Sequence, residues 1–205
     1  MVDAVRQEPF KWVGGALCLD FNNTVDWKGL VPDEGDRLSD LSRLASWGRA
    51  AGLLSSRQHQ RLAGLQQANP GAAPRILDRA LTARLQIHRA FFRVALGEPP
   101  DGDALGHLNR FLARVPPRVV CNGSTGCRWS WPETPEPEIP LLWPVLWSAS
   151  HLLTSPDRDR VKTCANQHCG WLFLDQSRRH NRRWCEMGVC GNRAKARRFH
   201  ARHRG

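Results

Sequence analysis

A chain of 205 residues has room for one medium domain and a small module, and its 41% hydrophobic share supports a buried core. No apolar run approaches the roughly 18 residues of a membrane span. With no targeting segment at its start either, the chain reads as soluble and cytoplasmic, without a membrane partner.

The formal net charge of +11 is unevenly placed. From Arg158 to the end, 13 Lys/Arg stand against Asp159, Asp175 and Glu186, whereas the first 157 residues are almost balanced. A concentrated positive surface draws a polyanion, nucleic acid first, because each neutralised phosphate releases counterions. The plain alternative is a solubilising tail.

In chain order, residues 16–21 (ALCLDF) read as a strand, with Leu17, Leu19 and Phe21 on one face and Cys18 and Asp20 on the other. The strand runs into the polar cluster Asp20, Asn22, Asn23 and Thr24, whose preferred role is to close a turn through side-chain-to-backbone hydrogen bonds. Residues 36–54 carry Leu38, Leu41, Leu44, Ala45 and Ala51 at helical spacing, with Gly52 placed to stop the helix. Ser55 and Gln58 form a capping box for a second helix through about Ala68, which Asn69-Pro70-Gly71 ends.

The third and longest helix spans about Pro74–Leu96, with a wide apolar face marking it as the central core element. Arg84 and His88, four apart on that face, are a hydrogen-bonded polar pair at the core edge, or a snorkelling Arg beside a His, or, with Asp20 and Asn22, the lining of a pocket for a small anionic effector. A fourth helix covers Asp101–Arg114. RVVCNGSTGCRWSW then reads as a β-hairpin whose turn is flanked by Cys121 and Cys127, expected to be reduced. Residues 132–140, with four prolines, form a stiff connector. The next helix holds Leu142, Val145, Leu146, Ala149, Leu152 and Leu153, and Pro144 must lie in its first turn or kink it. Ser155-Pro156-Asp157 marks a domain boundary.

Past that boundary, Cys164, Cys169, Cys185 and Cys190 form C-x4-C, a fifteen-residue spacer, and C-x4-C. Two close pairs returned to one point by a folded insert suit a tetrahedral Zn²⁺. Four thiolates complete the shell, so the one zinc is structural. Two disulfides would be the competing use, but three cysteines would be left over. His168 reads as a bystander.

GWLFLD supplies a short strand and QSRRHNRR a basic turn or return strand, followed by a helix of Ala, Arg and Lys. Arg193, Arg197, His200 and Arg204 share one stripe of that helix, and Lys195, Arg198 and Arg202 another. The helix can bury little, so it is expected to protrude, its base held by the zinc and Phe199. A protruding basic helix fits a DNA major groove. The candidate contacts are Arg182, Arg183, Asn192, Arg193, Lys195, Arg197, Arg198 and Arg202, with Arg182 and Arg183 directed to phosphates.

The run Cys190-Gly191-Asn192-Arg193, with the three upstream cysteines, resembles the CGNR zinc finger over about residues 160–203. Leu19-Asp20-Phe21-Asn22-Asn23-Thr24 is similar to the opening of the ABATE domain that commonly precedes it. These resemblances imply a bacterial transcription regulator.

The resulting expectation is a mainly α (α+β) N-terminal domain with a small β element, residues 1–157, that senses a ligand or mediates assembly, homodimerisation included. A treble-clef-like zinc-binding module, residues 158–205, binds DNA. Three alternatives stand beside this. RNA could stack on Trp171, Phe173 and Trp184, the zinc module could bind an acidic protein, or the N-terminal domain could be an enzyme. No nucleophile–base pairing, phosphate-cradling glycine loop or open metal position supports the last.

Overall fold

The computed structural model describes residues 10–203, apart from 34, 115, 123–125 and 131–134. The elements are α1 (Leu17–Asn22), β1 (Trp27–Lys28), β2 (Val31–Pro32), α2 (Leu41–Ala50), α3 (Ser56–Ala68), α4 (Ala73–Ala95) and α5 (Gly102–Arg114). They continue with β3 (Arg118–Asn122), β4 (Gly126–Ser130), α6 (Ile139–Thr154), a 3₁₀ turn (Pro156–Arg160), β5 (Val161–Thr163), β6 (Leu172–Leu174), a π turn (Met187–Gly191) and α7 (Asn192–Arg202). The fold is therefore mainly helical, with three two-stranded antiparallel sheets.

Local sequence explains most boundaries. Asp40 caps α2 by accepting from the Arg43 amide, and Gly52 follows the helix at φ 73°, a left-handed conformation suited to glycine. Ser55 and Gln58 make the reciprocal capping box of α3. α4 buries Ile76, Ala80, Ala83, Ile87, Ala90 and Phe91 and is the central helix, packing against α1, α2, α5, α6 and both strands β5 and β6.

Three expectations are corrected. Residues 17–22 form a helix, not a strand, burying Cys18, Leu19, Phe21 and Asn22 together while Asp20 stays half-buried. That is the one-sided pattern of a helical turn and a half. In so short a window Cys18 counts as apolar, so the period does not discriminate, and packing against α6 and α4 decides the conformation. Cys121 and Cys127, directly paired in the β3–β4 register, are joined as a disulfide rather than reduced. The connector ends sooner than expected: Ile139 and Pro140 already open α6, and Pro144 lies inside that helix beyond its first turn. Residues 131–134 of the connector fall outside the described residues.

The core does not stop at residue 157. Val161, Leu172 and Leu174 belong to the same buried cluster as the residues of α1, α2, α4 and α6. A second cluster gathers Val25 and Trp27 from the N-terminal part with Cys164, Cys169, Trp171, Phe173, Cys185 and Cys190. The C-terminal segment is thus seated on the helical part through shared apolar surface, the largest favourable contribution to such docking.

Candidate metal centre and basic surface

Four buried cysteines converge. The Sγ atoms of Cys164, Cys169, Cys185 and Cys190 lie within 4.8 Å of one another, with Cys169–Cys185 at 3.6 Å and Cys185–Cys190 at 3.7 Å. A tetrahedron with Zn–S bonds of about 2.3 Å has S···S edges of about 3.8 Å, so the four sulfurs fit a zinc ion. Their electrostatics point the same way. Hydrogen bonds from Cys169 and Cys185 pull the Cys164 pKa far down, while sharing with Cys164 pushes those of Cys169 and Cys185 up. Crowded thiols compete for one negative charge, and a divalent cation lets all four be thiolates.

The surroundings are built for that ion. The Cys185 amide faces Cys164 Sγ at 3.5 Å, and Asn166 Nδ2 faces Cys190 Sγ at 3.4 Å, two N–H groups directed at sulfur. The chain enters the knuckle from β5, where the Cys164 amide donates to the Trp171 carbonyl, and Ala165 N donates to the Arg183 carbonyl. Cys190 lies in the π turn, and α7 follows directly, with Asn192 Nδ2 donating to the Gly188 carbonyl at 2.9 Å. Knuckle, hairpin and a helix launched from the final ligand make a zinc module, and the site is that of one structural Zn²⁺. His168 is exposed and outside the ligand set.

Asp175, which the sequence reading passed over, holds the hairpin. It is fully buried and accepts from Lys162 Nζ at 2.6 Å, Ser177 Oγ at 2.6 Å, Ser177 N at 3.0 Å and Arg182 N at 2.9 Å. Burial alone would raise its pKa, but these donors hold it well below the usual carboxylate range. Asp-x-Ser after a strand is an Asx-type turn signal that would have found it.

The predicted nucleic-acid residues fall into distinct positions. Arg182 is half-buried and spent on structure: Nε donates to the Trp184 carbonyl at 3.0 Å, its terminal nitrogen bonds the carbonyls of Val13 (3.1 Å) and Cys185, and the guanidinium covers Phe173 at 4.3 Å. Its Nε and one terminal nitrogen are thus engaged within the fold. Arg183 is exposed, its guanidinium 5.5 Å from the Trp184 ring centroid. Asn192, Arg193, Lys195 and Arg197 are exposed on α7, and Arg198 and Arg202 belong to the same helix. Arg197 donates to Asn166 Oδ1 at 3.2 Å. Phe199, expected to pin the base of α7, is 59% exposed and stacks on His203 instead. The helix is held by Cys190, Asn192 and the Arg197–Asn166 contact. Trp171 and Phe173 are buried, which removes them as stacking platforms for bases.

The candidate effector residues are engaged in hydrogen bonds within the fold. Asp20 Oδ1 accepts from the Gly14 amide at 2.8 Å, apart from the others. Asn22 Oδ1 meets His88 Nδ1 at 3.0 Å, His88 Nε2 meets the Gly29 carbonyl at 2.8 Å, and the imidazole lies flat on Trp27 at 3.7 Å. Burial and then the Arg84 charge push the His88 pKa down to about 4, against the Gly29 hydrogen bond. Arg84 bonds Thr24 Oγ1 at 2.9 Å and takes Asp36 through both carboxylate oxygens. Burial would raise the Asp36 pKa, but this guanidinium holds it low. Arg84 and His88 are each hydrogen-bonded, but to separate partners and not to one another.

What this network supports is the zinc module. Asn22 Nδ2 donates to Asn23 Oδ1, and Asn23 bonds both the amide and the carbonyl of Leu172. Trp27 N donates to the Cys169 carbonyl and Trp171 Nε1 to the Val25 carbonyl. Gly170, at φ 62°, sits where an added Cβ would come within 2.2 Å of the Trp27 carbonyl oxygen, so only glycine permits this approach. The Leu-Asp-Phe-Asn-Asn-Thr motif is the seat on which the knuckle rests.

A mainly helical chain carrying a structural Cys₄ zinc module on such a seat is a zinc-finger protein. The chain belongs to the ABATE family, described as "Putative stress-induced transcription regulator", whose profile matches residues 15–156, and the CGNR zinc finger profile matches residues 160–203. A comparison with curated proteins finds no match. No helix among the described residues is long and apolar enough to cross a membrane.

Proposed function

We propose that the chain regulates transcription by binding duplex DNA through its zinc module. The observation that carries this is the placement of charge: the excess of Lys and Arg lies after residue 157, and Arg183, Arg193, Lys195 and Arg197 stand exposed on a scaffold fixed by four cysteines. α7 begins just after the last ligand and carries Arg193, Lys195 and Arg197 exposed, an arrangement that suits a helix entering a major groove while neighbouring arginines reach phosphates. The N-terminal part then acts as a sensing or assembly unit. Its continuity with β5 and β6 gives any change there a direct mechanical route to the finger.

Competition is the test. Full-length zinc-loaded protein is titrated with labelled duplex DNA against unlabelled single-stranded RNA of equal length. The proposal expects the RNA to compete poorly. Preferential displacement by RNA would favour RNA as the partner, and absence of binding to either would favour an acidic protein.

A further inference from the structure

A cleft of about 240 Å³ opens between the knuckle and α7, lined by Ala165, Gln167, Arg183, Trp184, Ala194 and Arg197. Its two arginines come from segments far apart in sequence. Arg183 leads into Cys185, and its carbonyl accepts from Ala165 at the start of the knuckle. Arg197 stands in the second turn of α7 and donates to the buried Asn166, whose amide faces the Cys190 sulfur. Both arginines are exposed, and among the described residues no acidic one lines the cleft.

We propose that this cleft is a phosphate seat in which Arg183 and Arg197 hold one phosphate group and Asn166, anchored on the zinc-bound Cys190, positions Arg197. Two guanidinium groups lining one cleft offer N–H donors to the oxygens of a tetrahedral anion, a task for which Arg is better suited than Lys. The Gln167 amide on the wall adds a neutral donor. The zinc closes the loops from which the walls arise, so the seat exists only in the metal-loaded fold. The proposal rests on the nucleic-acid reading for its natural ligand, a backbone phosphodiester. A free phosphate compound carries the same chemistry.

Two arms separate these sources, both on the full zinc-loaded chain. In the first, duplex DNA is titrated at several salt concentrations. Arg183→Gln with Arg197→Gln, and separately Gln167→Glu, should weaken binding roughly tenfold and make the log K against log salt slope shallower by about one. Gln167 is exposed, and its substitution replaces neither a ligand nor Asn166, so it reports on the seat if the double variant fails to fold. Unchanged affinity and slope in Gln167→Glu would overturn the seat. In the second arm, pyrophosphate is titrated while the Arg Nε–H resonances are followed. Saturable shifts of Arg183 and Arg197 in the native chain, lost in Gln167→Glu, support the seat even if DNA fails to bind, in which case only the nucleic-acid reading falls. No shift in either resonance overturns the seat as an anion site. Asn166→Ala with zinc still at one per chain should lose the Arg197 shift and keep that of Arg183. Retention of both removes Asn166 as the positioning residue.

Discussion

Asn23 grips Leu172 at both of its backbone polar groups, donating to the carbonyl at 2.8 Å and accepting from the amide at 3.1 Å. A side chain in the N-terminal part thus does for β6 what a neighbouring strand would do. Asn23 and Leu172 are both buried, so neither bond has water as a substitute.

Asn23→Ala therefore orphans two buried backbone groups at once. At about 1–3 kcal/mol for each group left unsatisfied, the expected loss is about 3 kcal/mol. Denaturant unfolding followed by tryptophan fluorescence should show one transition at lower denaturant, because the clamp joins both parts. A variant that unfolds at the native midpoint would contradict this.

Gly170→Ala tests the same seat from the other side. The new methyl would meet the Trp27 carbonyl, and the left-handed backbone would be strained as well. The expected result is zinc still at one per chain but a knuckle no longer docked. Limited proteolysis should then cut between residues 157 and 170, where the native chain resists.

Metal removal should act beyond the finger. Cys185→Ser, or a chelator, unfolds the ligand shell because structural zinc contributes folding free energy. Since Val161, Leu172 and Leu174 complete the main core, the midpoint of the helical part should fall too. A helical part whose stability ignores the metal would show that the shared core matters little.

Two contributions to the pH dependence, from Asp20 and His88, oppose each other. Burial pushes Asp20 up to about 6 from 3.8, against hydrogen bonds from the Gly14 and Val13 backbone. Its contribution to stability is complete below pH 3.8 and lost as pH rises through 6. His88, at about 4 in place of 6.5, stabilises above pH 6.5 and ceases to as pH falls through 4. Asp20→Asn keeps an acceptor for Gly14 without the buried charge, so it should stabilise the protein at pH 7 and change little at pH 4. Equal effects at both values would contradict the assignment.

Much of this was legible in sequence where one residue type has one use. The cysteine spacing specifies the metal, Ser55 and Gln58 specify a helix start, and the long apolar face of α4 specifies the core. What was not legible depends largely on tertiary context. Residues 17–22 are too few to carry a period, and their helix is set by α4 and α6. Arg182 looks like any surface arginine until its carbonyl partners from Val13 and the finger are brought together. The motif Asn22-Asn23-Thr24 is polar because it binds backbone and side chains across the fold, a pairing 149 residues apart in the case of Asn23. No local pattern encodes such a partner.

The central claim is that zinc builds the nucleic-acid-binding surface. It is tested most directly by titrating the full-length protein with duplex DNA at several salt concentrations, with and without a zinc chelator. The account predicts binding that weakens steeply with salt and disappears on chelation. Binding that persists unchanged without the metal would contradict it, because the charges would then act as an unstructured tail.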